Sequence, residues 1–301
     1  MIEQPRKILL PTDFSEPAEA AAPYAAAIAR AFGAELHLLH AIVLHDDFGG
    51  PSFPEQHEVI EALQERAGDL LSALAGVVKQ AGVEVLRAER RGVSAAPVIL
   101  DYAEEQGIDL VVMATHGRRG FRKLFLGSVA EEVVRHASVP VLTVRDRDRM
   151  EGADGKVKIL VAADLSPATA TLVDHAALVA ARTGASVCLL HAIQVLRPGV
   201  VYEALPEIPG VSFAELESEA RGRLEALVRD SGLDAQNTTV EVVEQPPAAA
   251  ILDRCAGDGA ADLVIVAHRQ RSGVDRLFLG SVADRVVNRC SVPVLTVPVE
   301  G

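Results

Sequence analysis

The sequence predicts two doubly wound α/β domains. Each is a five-stranded parallel sheet with helices on both faces, and the two are related by a pseudo-two-fold axis. Three observations predict this. The chain repeats itself: Leu124–Val144 (LFLGSVAEEVVRHASVPVLTV) and Leu277–Val297 (LFLGSVADRVVNRCSVPVLTV) agree at sixteen of 21 positions. Lys7–Ile42 also aligns without gaps on Lys158–Ile193, with 15 of 36 positions identical. Within each copy, short apolar runs alternate with amphipathic or Ala-rich stretches, the pattern of right-handed βαβ units. Finally, 49% hydrophobic content with 4% aromatics and no Trp leaves Leu, Val, Ile and Ala to build the cores. That composition suits helices packed on a buried parallel sheet.

Taken in order, Lys7–Leu10 reads as a strand and Glu16–Phe32 as an Ala-rich helix. Glu35–Ile42 is a second strand, and Glu55–Ala81 a long helix. Glu84–Glu89 (strand), Ala96–Gln106 (helix), Asp109–Ala114 (strand), Ser128–His136 (helix) and Val141–Val144 (strand) complete the first copy. The second copy repeats the order. Its strands are Lys158–Val161, Ser186–Ile193, Thr239–Val243, Asp262–Ala267 and Val294–Val297. Its helices are Ala168–Arg182, Phe213–Ser231, Ala248–Ala256 and Val282–Arg289. A repeat of about 145 residues is a domain, not a solenoid unit. The charged, aperiodic stretch Asp146–Gly155 (DRDRMEGADG) is the linker, giving domains 1–146 and 157–301 with 147–156 between them. Long Pro/Gly-containing connections, His45–Glu55 and Leu196–Gly210, follow each second strand and read either as binding loops or as surface insertions. The last strands are Val-rich and uncharged, so their edges need covering. Pairing the two would make the chain its own pseudo-dimer, and a homodimer of chains stays open beside it.

The net charge of −13 argues against nucleic acid as a partner, because phosphate neutralisation needs basic patches. Cys188, Cys255 and Cys290 form no CxxC and no even framework, and read as buried free thiols in a reducing compartment. No apolar run reaches membrane-spanning length. The opening MIEQPRKILL has no signal-peptide core. The expected location is cytoplasmic.

In a doubly wound sheet, ligands sit beyond the carboxyl ends of the strands where strand order reverses. Three segments of each copy converge there. Pro11, Thr12, Asp13 and Ser15 end the first strand, matched by Ala162, Ala163, Asp164 and Ser166. His40, Ala41 and Ile42 end the second, matched by His191, Ala192 and Ile193. After the fourth strand come ATHGRRGFRKLFLGS and AHRQRSGVDRLFLGS. This last segment passes through a basic loop (Arg118, Arg119, Arg122, Lys123) and ends in Gly-Ser at a helix start. Ser128 and Ser281 are candidate N-caps, and Gly127 and Gly280 let a ligand approach the backbone. A helix N-terminus suits phosphate, although Gly-Ser there is usually only a cap. Asp13 and Asp164 read as acceptors for a sugar or base, as helix-start acids, or as both. His37, His40, His45, Asp46, Asp47 and His57 are close in sequence, but no pair has metal-ligand spacing, so no metal site is expected. There is no P-loop, GxGxxG or GxSxG.

KILLPTDFSEPAEAA, LLHAI, DLVVMATHGRRGF, LFLGSVAEEVV and SVPVLTV together resemble the universal stress proteins, a family of Rossmann-like adenine-nucleotide-binding domains. The resemblance covers both copies. The family's nucleotide motif is Gly, two residues, Gly, nine residues, then Gly-Ser or Gly-Thr. In the first copy Ala114 stands for the first glycine, followed by Gly117 and Gly127-Ser128. In the second, Ala267 and Gln270 replace both early glycines, while Gly280-Ser281 and Asp164 remain. The resemblance implies ATP, with or without Mg²⁺. It places Asp13 and Ala41 at the adenine, framed by Pro11 and Thr12. Met113 and Ala114 fall near the ribose, and Gly117, Gly127, Ser128 and Val129 at the phosphates. The matching second-copy positions are Asp164, Ala192, Val266, Ala267, Gly280, Ser281 and Val282. The first copy is expected to be the better site. The implied role is a stress-response sensor or adaptor with an unidentified protein partner. No general base or metal pair is placed to attack a γ-phosphate, so no catalytic residue is named. The rivals are a slow ATP hydrolase, with His116 or Arg118 orienting water, and a nucleotide-free interaction module.

Overall fold

The computed structural model describes residues 2–43, 54–115, 126–145, 157–194, 212–257, 259–270 and 280–300, with the side chains of the third helix described from Glu61 onward. The expected linker, the basic loop with Gly117, His116 and Arg118, and most of both long connections lie outside the described residues.

The first half runs β1 (Lys7–Pro11), α1 (Glu16–Ala20), α2 (Ala22–Phe32), β2 (Glu35–Val43), α3 (Pro54–Lys79), β3 (Val85–Gly92), α4 (Ala95–Gln106), β4 (Leu110–Ala114), α5 (Ser128–His136) and β5 (Val141–Val144). The second runs β6 (Lys158–Ala162), α6 (Ala168–Thr183), β7 (Ser186–Ala192), α7 (Phe213–Asp230), β8 (Thr238–Val243), α8 (Pro247–Arg254), β9 (Leu263–Gln270), α9 (Ser281–Arg289) and β10 (Val294–Glu300). A single 3₁₀ turn at Ala235–Asn237 precedes β8.

Four elements depart clearly from the sequence reading, β3 and β10 by running three residues further, to Gly92 and Glu300. The first helix is broken at Ala21, because Pro23 in the first turn of α2 has no N–H to continue the ladder of α1. β9 runs three residues beyond Ala267, to Gln270, because β10 is also long and pairs with it through Glu300↔Gln270. β4 has no such extension and ends at Ala114, alongside Val144 of β5.

All ten strands form one sheet in the order β3-β2-β1-β4-β5-β10-β9-β6-β7-β8. Within each half the pairs are parallel and the order reverses next to the first strand. The halves meet at one antiparallel pair: Val294↔Thr143, Leu295↔Leu142 and Thr296↔Val141. The last strands therefore cover each other's edges, as their uncharged sequence demands.

Strand side chains alternate between two layers. Ile8 and Leu10 pack on one face with Ala22, Ala25 and Ala29 of α2 and Leu71 of α3. The same layer continues into the second half through Leu172 of α6 and Leu224 of α7. Leu9, on the opposite face, belongs to a second layer that holds Ile99 of α4 and Val133 of α5 and continues through Ile251 of α8 and Val286 of α9. Helices thus cover both faces, and each apolar layer runs through both halves. Among the described residues no helix is long and apolar enough to cross a membrane.

Candidate functional site

The crevice of each half opens where its first and fourth strands part company in sequence order. In the first half the chain leaves β1 through Pro11 into Thr12, whose N–H donates to Leu39 O at 2.8 Å. The Asp13 carboxylate then turns toward the following helix. Its Oδ1 accepts from Ser15 N at 3.0 Å and from Ser15 Oγ at 2.6 Å. The second half repeats this: Asp164 Oδ1 accepts from Ser166 N at 3.0 Å, Ser166 Oγ at 2.5 Å and Thr169 Oγ1 at 3.2 Å. Between each Asp and Ser lies a residue in the left-handed region, Phe14 at φ 59° and Leu165 at φ 61°. A bulky side chain there costs roughly 1–2 kcal/mol, so the surrounding contacts must impose it. Nothing in the residue types Phe and Leu signals this.

His40 and His191 are tied to the same turns. Each Nδ1 lies 2.8 Å from a backbone oxygen, Thr12 O and Ala163 O respectively. A carbonyl can only accept, so Nδ1 carries the proton and Nε2 is left for another partner. The Phe14 ring packs against His40 with centroids 4.5 Å apart. His37 points the other way and is buried against Tyr102, with Nδ1 2.9 Å from the phenol oxygen. Burial lowers its pKa, against the opposing pull of Glu35.

The third segment closes the crevice. Gly127 N donates to Thr115 O at 2.6 Å, bringing the start of α5 to the end of β4 beside Met113 and Ala114. Ser128 and Ser281 are not N-caps. They are the first helical residues, the caps are Gly127 and Gly280, and neither helix start has a side-chain capping bond. The two glycines differ in conformation: Gly127 has φ −64°, Gly280 has φ 87°. Val129 and Val282 follow in the first turns, partly buried.

In the second half the three segments enclose a cleft of about 610 Å³. Asp164, Ala192, Val266, Ala267, Gly280, Ser281 and Val282, all singled out in the sequence, line it together with Ala163, His191 and Ile251. The first-half set Pro11, Thr12, Asp13, Ala41, Met113, Ala114, Gly127, Ser128 and Val129 occupies the equivalent strand ends and helix start. Gly117 lies outside the described residues.

Among the lining residues, Arg269 carries a contact the sequence did not suggest. Arg269 reaches across the cleft and pairs with Asp164, Nη2 to Oδ2 at 2.7 Å. Partial burial works to raise the Asp164 pKa. The hydrogen bonds from Ser166, Arg269 and Thr169 outweigh it and hold the carboxyl below its ordinary range. Arg269 is the counterpart of His116, and its position on an extended β9 gave no sequence signal of this contact.

The two copies that carry these crevices each match one family model, that of the universal stress protein family, over residues 5–145 and again 157–298. The chain belongs to the universal stress protein family. A universal stress protein of Mycolicibacterium smegmatis is 28% identical over 298 residues, spanning 96% of each chain. One of Methanocaldococcus jannaschii is 33% identical over 140 residues, 46% of this chain and 82% of its own length. The crystal structure of a universal stress protein from Archaeoglobus fulgidus superposes with a TM-score of 0.75 at 22% identity. It covers 98% of this chain and 99% of its own, so the similarity of fold extends across both halves.

Proposed function

We propose that this universal stress protein binds ATP in the crevice of its first half and works as a stress-response sensor or adaptor, not as a fast catalyst. The observation that carries the reading is the pair of helix starts at the switch points. Each is capped by glycine, lacks a side-chain capping bond, and so presents backbone N–H groups to an incoming anion. A cleft of about 610 Å³ falls within the range of small-molecule sites. Alanines at 162, 163, 192 and 267 leave room for a flat ring between Asp164 and the helix start in the second half. The first half keeps Gly117 in the motif where the second has Gln270. In the second half a base would have to displace Arg269 from Asp164. The retained Gly117 makes the first crevice the stronger nucleotide site. Mg²⁺ would accompany the phosphates from solution. Residues 5–145 and 157–298 then serve as two domains of unequal duty.

Titration calorimetry with ATP, combined with nucleotide release from denatured protein, tests this. Gly127 has φ −64°, a conformation open to any residue, so Gly127→Val puts bulk at the α5 start without backbone strain. The expected result is one ATP per chain, lost in Gly127→Val. Two per chain would show that Arg269 and Gln270 admit nucleotide. No binding at millimolar ATP would overturn the reading and leave an interaction module.

A further inference from the structure

The turn that leads into α5 is held from the other half of the chain. Leu126 donates its backbone N–H to Oδ1 of Asn288 in α9 at 2.7 Å. Asn288 is oriented for this: its Nδ2 donates to Asp284 O at 2.8 Å and to Asp284 Oδ1 at 3.1 Å, leaving Oδ1 as the acceptor. Leu126 is buried at 7% exposure, and a buried N–H left unpaired is costly. Its neighbour Gly127 is bonded within its own half, to Thr115 O. Arg145, from the first half, grips the same end of α9 by donating to Val287 O at 3.1 Å and Asn288 O at 2.5 Å. The backbone grip is reciprocal, since Arg135 O in α5 lies 2.8 Å from Nε2 of His268 in the second half, but the side-chain contact is not. The first-half counterpart of Asn288 is Arg135, whose donor-only side chain is paired with Glu131 and has no acceptor to offer.

We propose that Asn288 is a positioning residue for the nucleotide site of the opposite half: it fixes the Leu126–Gly127–Ser128 turn, so the first site is assembled by both halves. This rests on the nucleotide reading above. It also gives the second half a task in binding that does not require nucleotide in its own cleft.

The test uses the full chain, with ATP titration calorimetry and hydrogen exchange of the peptide spanning Leu126–Ser128. Parent, Asn288→Ala and Asn288→Leu are compared with Arg182→Ala. Arg182 also touches the first half, through Gln4 and the Phe32 ring, but stands away from the turn. Either Asn288 change should weaken the binding that Gly127→Val abolishes by about tenfold and speed exchange in the turn. Arg182→Ala should do neither. Asn288→Leu keeps the side-chain bulk if the alanine variant fails to fold. Parent-like affinity and exchange in the Asn288 variants would overturn the proposal, as would equal losses in Arg182→Ala. If the parent takes up no ATP, the nucleotide reading fails separately, and exchange at Leu126 alone decides the positioning: unchanged exchange overturns it.

Discussion

At the scale of single residues, the two copies of one turn differ in what engages their carboxylates, and Asp164 shows how. Its side chain is 50% exposed, yet four hydrogen bonds keep its pKa below the ordinary 3.8. A folded-state pKa below the unfolded one stabilises the fold above the unfolded value, and that stabilisation is lost as pH falls through the folded one. Arg269→Ala removes one of the bonds that offset burial. The Asp164 pKa, followed by carboxyl-carbon NMR, should therefore rise toward or past its ordinary value, and the share of the acid-induced stability loss that Asp164 contributes should shrink. An unchanged Asp164 titration would show that Ser166 and Thr169 alone hold it. Two of the three thiols were legible by contrast. Cys255 and Cys290 are buried beside one another, whereas Cys188 is half-buried, which pushes it up to about 11. Asp164 and Ser166 could be read as a repeated pair because they recur at the same offset. Arg269 could not, since its partner lies 105 residues away and its own counterpart is a histidine.

At the scale of elements, the duplication made the sequence unusually readable. Every strand–helix alternation occurs twice, and α5 and β5 fall where the pattern placed them. The misreadings have local causes. Pro23 split a helix that periodicity alone would have continued, and a long β10 drew β9 out past Ala267. The Gly-Ser dipeptides were found, but sequence cannot tell that one glycine is left-handed and the other is not. Gly280 at φ 87° has open space where a Cβ would stand, so strain alone should penalise a side chain. Gly280→Ala should destabilise the protein by about 1–2 kcal/mol. Gly127→Ala, at φ −64°, should cost well under that. Urea denaturation of the two variants checks the contrast, and equal losses would mean that the α5 and α9 starts respond alike.

At the scale of the whole molecule, the decisive feature is a short antiparallel pairing that closes two parallel sheets into one. Leu142 and Leu295 are direct partners across it, 4% and 7% exposed, in the apolar layer that also holds Leu38 of β2 and Leu189 of β7. The uncharged last strands announced that their edges would be covered, and the repeat supplied an equivalent strand to cover them. The cross-half bonds of Asn288, Arg145 and His268 had no such announcement, because they depend on the register of the join and not on either copy alone. A shared layer has a thermodynamic consequence. If the halves depend on one another, thermal unfolding of the full chain gives one calorimetric transition whose van't Hoff and calorimetric enthalpies agree. Leu295→Ala removes a buried side chain at the join and should cost about 2–5 kcal/mol. With coupled halves the whole transition moves down together. With independent halves, part of the heat absorption would stay at the parent temperature while the rest moved, and the site assembled across the join would come apart before its own domain melted.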